Sequence, residues 1–131
     1  MSRNAFKNKS YWQSLKHAWA GLVLTFKNER NFRIQLGCLL SACLLGGYFH
    51  ISLSEWLSIL FAAALVLFAE LHNTVIESLV DLHVGEYFHP LAKKCKDVAA
   101  AAVLLTAMLA LLVGLFIFIP KFWALWEGCK I

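Results

Sequence analysis

The sequence predicts an all-α membrane protein: an N-terminal amphipathic surface helix followed by three transmembrane helices. Composition is the first reason. Of 131 residues, 60% are apolar and 15% charged, whereas soluble domains carry about 45–50% apolar and about 25% charged residues. The second reason is that the apolar residues gather in long runs, and the third is that Lys and Arg are unevenly placed between them. Together these exclude a disordered chain, most water-soluble folds and a nucleic-acid module with a basic face; no nucleic-acid partner is expected. The length accommodates one membrane domain, 1–131, without a separate soluble domain. Three spans cannot enclose a cavity on all sides, so neighbouring copies are expected to complete any site.

The first element is expected over 10–27. Tyr11, Trp12, Leu15, Ala18, Trp19, Leu22, Val23 and Phe26 recur at helical spacing, with Gln13, Lys16, His17 and Lys27 on the other side. Such a narrow, Trp-rich stripe suits a helix lying among lipid headgroups. Ahead of it, Arg3, Lys7 and Lys9 lead into polar and aromatic residues, unlike a cleavable signal peptide. The first span is expected over 33–49, with Gly46-Gly47 as its stop. The second, over 53–82, would be roughly 45 Å long at 1.5 Å per residue, more than the ~30 Å hydrocarbon core, so one end must emerge. The third, 97–119, contains the uncharged run Val98–Ile119 and is expected to stop at Pro120.

Basic residues set the orientation. Arg3 to Arg33 holds seven of them, and Lys93, Lys94 and Lys96 precede the third span, whereas His50 to Glu55 has none. The positive-inside rule puts the N-terminus and the 82–97 loop in the cytoplasm and the C-terminus outside. The cysteines, Cys38, Cys43, Cys95 and Cys129, show neither CxxC nor metal-ligand spacing, and read as small apolar residues.

The second span carries Glu70, Asn73, Glu77 and Asp81. At 100° per residue they lie at about 0°, 300°, 340° and 20°, one arc roughly 80° wide. Taken singly, each acid would be a solvated helix end. Gathered beside an apolar run, they are costly and point to function. Hard oxygen ligands suit Mg²⁺. Glu29, in the connector Lys27-Asn28-Glu29-Arg30, lies at a similar depth, although Lys27, Arg30 and Arg33 offer it ordinary ion pairs.

The stretch from Glu86 to Asp97 places three ammonium groups beside the start of the third span, where free N–H groups already favour anions. A cationic loop beside carboxylates is what a metal-bound polyphosphate requires. Neither a Walker A sequence nor G-x-G-x-x-G is present.

Glu70-Leu71-His72-Asn73-Thr74-Val75-Ile76-Glu77-Ser78-Leu79-Val80-Asp81 resembles the E-x-x-N-[ST]-x-[IV]-E-x-x-V-D signature of the prokaryotic diacylglycerol kinase and undecaprenol kinase family. Lys96-Asp97 through Val103-Leu104 is similar to that family's K-D-x-x-[AS]-A-x-V-L segment, and Asn28-Glu29 through Phe32-Arg33 to a third block. The resemblance runs from about Ser14 to Pro120. It implies a homotrimer in the bacterial inner membrane that phosphorylates a lipid alcohol with Mg²⁺ and ATP, its active sites shared between subunits. By the same resemblance Glu70 is the general base and Glu29 and Glu77 hold Mg²⁺. Asn73 and Asp81 order the site, while His17, Glu86, His89, Lys96 and Asp97 contact nucleotide.

Three positions depart from the diacylglycerol-specific members: Ser10 stands for an Arg, Gln35 for an acid and Lys93 for a Gly. The Phe88-His89-Pro90-Leu91-Ala92-Lys93 wording resembles undecaprenol kinases, so undecaprenol is the expected substrate and diacylglycerol the alternative. A cation- or proton-handling relay would also use an acidic stripe. It has no need of Lys96-Asp97 or Glu29, and a scaffold without chemistry has no need of the acids.

Overall fold

The computed structural model describes residues 10–85 and 87–128, and among these there is no strand. Four helices follow one another: α1 Tyr11–Asn28, α2 Arg30–Tyr48, α3 Leu53–Val84 and α4 Pro90–Gly128. Ser10 caps α1, its Oγ accepting the Gln13 N–H at 3.3 Å. Glu29 is extended (φ −94°, ψ 114°) and separates α1 from α2. The Arg33 guanidinium reaches back from α2 and donates to the carbonyls of Phe26 (3.0 Å) and Lys27 (2.8 Å). It thereby satisfies carbonyls that the end of α1 leaves open, and holds the bend.

α2 ends at Tyr48, within one residue of the expected 49, and the turn follows at Phe49 and His50. His50 takes the left-handed conformation (φ 49°). Its N–H reaches the Gly47 carbonyl, and the Ile51 N–H reaches that of Gly46 at 3.1 Å. This is a Schellman end built without glycine at the left-handed position. Gly46 is needed for another reason: a Cβ there would lie 2.8 Å from Ile51 Cδ1 and 2.9 Å from Trp56 Cη2.

A capping box starts α3, in which Glu55 Oε2 accepts the Ser52 N–H at 2.7 Å and Ser52 Oγ accepts the Glu55 N–H. The helix ends at Gly85, whose φ of 61° and ψ of −134° suit glycine. Its buried residues, Ile59, Ala62, Val66 and Glu70, recur at three- and four-residue steps. They form one stripe against the neighbouring helices. Phe118 of α4 packs with Ile51 and Ile59, and Leu39, Leu45 and Trp56 surround them.

α4 corrects two expectations. It begins at Pro90 rather than near Asp97, because proline is at home in a first helical turn, where its missing N–H costs nothing. It also runs through Pro120 to Gly128. Contacts beyond the proline hold that continuation: Lys121 Nζ pairs with Glu55 at 3.0 Å, the Phe122 ring stands edge-on to Phe49, and Trp123 Nε1 donates to Glu127.

Among the described residues, α3 and α4 are long and apolar enough to cross a membrane. Only 22% and 6% of their apolar windows are buried within the chain, so neither is the core helix of a soluble fold. α2, expected as a span, is not in that class; it has 19 residues and opens with Arg30 and Arg33. The stripe of α1 expected to face lipid, including Trp12, Leu15 and Trp19, is exposed. Cys38, Cys43 and Cys95 are free.

Candidate functional site

The buried stripe of α3 changes chemistry at Glu70. Ile59, Ala62 and Val66 are apolar, and one further step along the same face comes a carboxylate that is only 2% exposed. Glu70 Oε2 accepts a hydrogen bond from Gln35 Nε2 of α2 at 3.1 Å. Glu29 and Glu77 lie near enough for their charges to act on it. One turn further, Asn73 Nδ2 donates to Glu77 Oε1 at 2.9 Å. Two buried amide oxygens, Gln35 Oε1 and Asn73 Oδ1, have no hydrogen-bond partner among the described residues. Buried acceptors are nearly always paired in folded proteins, so this pair marks where a ligand can supply donors or positive charge.

Glu29 approaches from the α1–α2 bend. Its backbone caps both helices while its side chain caps neither, and no ion pair joins it to Lys27, Arg30 or Arg33 among the described residues. Among the described residues its carboxylate is therefore uncommitted.

The outer part of the site is charged and exposed. Lys96 Nζ meets Asp81 Oδ1 at 2.5 Å and ties α4 to α3. Lys93 Nζ meets Asp97 Oδ2 at 2.5 Å along α4. Exposed pairs contribute about 0–1 kcal/mol, so an incoming anion can displace the carboxylates from these lysines at little cost. The eleven-residue separation of Glu70 and Asp81 corresponds to about 16 Å along the helix axis. The site is thus a ladder from a buried carboxylate to a solvated cationic rim.

Not every expected residue joins it. His89 caps α4, its Nδ1 accepting the Leu91 N–H at 3.2 Å, which leaves Nε2 as the ring's donor. His17 sits on exposed α1, three turns before Glu29, and has no hydrogen bond or ion pair to the ladder among the described residues. Glu86 lies outside the described residues. Two residues gain importance. Gln35, noted in the sequence only as a departure, holds Glu70; a lone amide within an apolar run was the available signal. Lys93, noted in the same way, holds Asp97.

No three His, Cys, Asp or Glu side chains among the described residues group tightly enough to cage a metal. Mg²⁺ sites that serve nucleotides commonly use one or two carboxylates, with phosphates and water completing the shell. Uncommitted Glu29, Glu77 and the unpartnered Asn73 Oδ1 are hard oxygen donors of that kind, and the set fits Mg²⁺.

Helices long and apolar enough for a membrane, with a buried carboxylate followed by a cationic rim, define the class: a helical membrane protein carrying a polar, charged site. Known proteins narrow this class. Residues 16–118 match the family model described as prokaryotic diacylglycerol kinase. The chain is 38% identical over 119 residues to a diacylglycerol kinase of Synechocystis sp., covering 86% of this chain and 68% of that one. It is 37% identical over 111 residues to the undecaprenol kinase of Bacillus subtilis (85% and 89% covered). It is 28% identical over 96 residues to the diacylglycerol kinase of Escherichia coli (73% and 78%). The chain belongs to the prokaryotic diacylglycerol kinase family. It is accordingly a membrane lipid kinase, a transferase acting between ATP and a lipid.

Proposed function

We propose that this kinase phosphorylates the hydroxyl of a polyisoprenoid alcohol, undecaprenol in particular, at the cytoplasmic face of the bacterial inner membrane. The observation that carries the reading is Glu70: a carboxylate sequestered at the end of an apolar helix face, where a lipid hydroxyl can meet it without leaving the membrane. Glu70 takes the proton of that hydroxyl, the alcohol oxygen attacks the γ-phosphorus, and ADP leaves. Gln35 holds the carboxylate in position. Glu29 and Glu77 are the Mg²⁺ ligands, and Asn73 sets the rotamer of Glu77 through its 2.9 Å hydrogen bond. When bound by those carboxylates, Mg²⁺ would supply compensation of the phosphate charge.

Asp81 positions Lys96 until nucleotide arrives, and Lys96 then turns to the phosphates. Asp97 and His89 border the nucleotide, and Glu86 and His17 complete its surroundings. Phosphoryl transfer depends mostly on positioning and charge compensation, which these residues supply. The basic N-terminal region and the α3–α4 turn face the cytoplasm, α2 is the first of three spans, and the C-terminus lies outside. Three copies assemble and share active sites.

The substrate rests on the Phe88–Lys93 wording and on the similarity to the Bacillus subtilis undecaprenol kinase. Diacylglycerol is the second reading, favoured by the similarity to the Synechocystis diacylglycerol kinase. Purified protein assayed with Mg-ATP on both lipids at matched surface concentration should turn over undecaprenol faster. Turnover of diacylglycerol alone would transfer the assignment to the second reading.

A further inference from the structure

The charged rim contains an ion pair that no step of the proposed reaction employs. Lys93 Nζ meets Asp97 Oδ2 at 2.5 Å, one turn apart on α4, with side chains 60% and 61% exposed. As a prop for the helix the pair is poorly placed. A cation near the start of a helix opposes the helix dipole, and a base four residues ahead of an acid is the weaker of the two orientations. α4 has no acid in its first turn to offset that charge. Lys93 therefore gives the helix little, and its ammonium is available to a ligand.

Direction separates Lys93 from its neighbours. Lys96 reaches across to Asp81 of α3 and so marks the side of α4 that meets the acidic ladder. Lys93 lies about 60° from Lys96 around the axis, whereas Lys94 lies about 160° away. Leu91 and Cys95 turn elsewhere and line an apolar cavity with Leu79 and His83. Lys93 is also about 4.5 Å nearer the start of α4 than Lys96. Because the turn from α3 enters α4 at that start, Lys93 stands beyond Lys96 on the way out from Glu70. Two ammonium groups thus follow one another along the path a polyphosphate would take from the buried carboxylate to solvent. Charge balance calls for both. Glu29, Glu70, Glu77, Asp81 and Asp97 are all acids, and MgATP is itself a net anion, so Lys96 by itself leaves the phosphates poorly compensated.

We propose that Lys93 is a phosphate-binding residue of this kinase, its ammonium leaving Asp97 for the phosphates that remain in ADP while Lys96 serves the transferring end. The proposal rests on the reading of Lys96 and Asp97 as nucleotide contacts. Because those phosphates belong to substrate and product alike, Lys93 binds both equally; such uniform binding lowers KM and leaves kcat as it is.

Lys93 is exposed, so its truncation leaves the fold in place, and Lys93→Met keeps the apolar stem while removing the charge. Wild type, Lys93→Met, Lys93→Arg, Lys94→Met and Lys96→Met are compared as full-length enzyme in detergent, with Mg²⁺ and whichever lipid alcohol is turned over. Lys93→Met should raise both KM for MgATP and Kd for MgADP by roughly tenfold, the loss of one charge-assisted hydrogen bond, with kcat within about threefold. Lys93→Arg keeps the charge and should stay near wild type, and Lys94→Met should match wild type throughout. Unchanged KM and Kd in Lys93→Met would overturn the proposal, as would an equal rise in Lys94→Met. A rise for ATP without one for ADP would overturn it too, and so would a fall in kcat at constant KM, which would make Lys93 a positioning partner of Asp97.

Asp97→Asn separates contact with phosphate from masking of the aspartate charge. Lys93→Met added to that variant should still weaken MgADP severalfold in equilibrium dialysis, a readout that needs no turnover; no further weakening would overturn the proposal. Lys96→Met reports on the underlying reading. If it weakens nucleotide while Lys93→Met does not, the rim remains the nucleotide site and the role of Lys93 alone falls. If neither variant changes KM or Kd, the rim is not the nucleotide site and both fall.

Discussion

Glu70 illustrates what a single residue can carry at a boundary between solvents. Its side chain is buried, and among the described residues its carboxylate has the amide of Gln35 rather than a cation. Such an arrangement is expensive to maintain and has no structural gain that a leucine would not give. Glu70→Gln retains the shape and removes the proton acceptor. It should lower kcat by roughly 10²–10⁴-fold while nucleotide affinity, followed by equilibrium binding, stays within about twofold. A near-wild-type kcat would remove Glu70 from the role of base. The acidic arc was legible in the sequence because 3.6-residue periodicity alone places 70, 73, 77 and 81 together. Gln35 was not, since its importance comes from a contact across thirty-five positions of chain.

Helix ends, more than helix interiors, separate this structure from its sequence pattern. α2 ends where expected, near 49, but it does so through His50 in a left-handed conformation rather than through the Gly46-Gly47 pair, and Gly46 serves as the seat for Ile51 and Trp56. Gly46→Leu should therefore strain the α2–α3 turn, costing about 1–3 kcal/mol, visible as a lower temperature of half-inactivation in detergent. Gly47→Leu is the internal comparison, since its Cβ would meet nothing within 4 Å; an equal drop there would show that close packing at 46 is not the cause. Pro120 likewise reads as a terminator, but tertiary ties from Lys121 and Phe122 carry α4 past it. Hydropathy marks where a helix is apolar, and it is silent about helix that continues through the interface. For that reason Pro90–Asp97 read as loop.

The whole molecule exposes 10716 Å² of surface, against about 7,000 Å² for a compact soluble protein of the same mass. Lipid and further copies of the chain are the natural cover for an apolar excess of this kind. The candidate site is open in the same way, with two unpartnered amide oxygens and no metal-caging group of acids among the described residues. On the proposed trimeric assembly, amine- or carboxylate-directed crosslinking in detergent should stop at a trimer. A monomer that keeps full activity would contradict shared sites.

The order of apolar and charged residues was enough by itself to establish a helical membrane chain, an acidic arc on its second long helix and a basic stretch before its last. Those properties follow from local periodicity and from the cost of placing charge in oil, and neither depends on which helix packs where. Tertiary structure alone decided that Glu70 ends the buried stripe, that Gln35 holds it, and that Lys96 is shared with Asp81. Each of these is a meeting of residues far apart in the chain, and such meetings are chosen by packing.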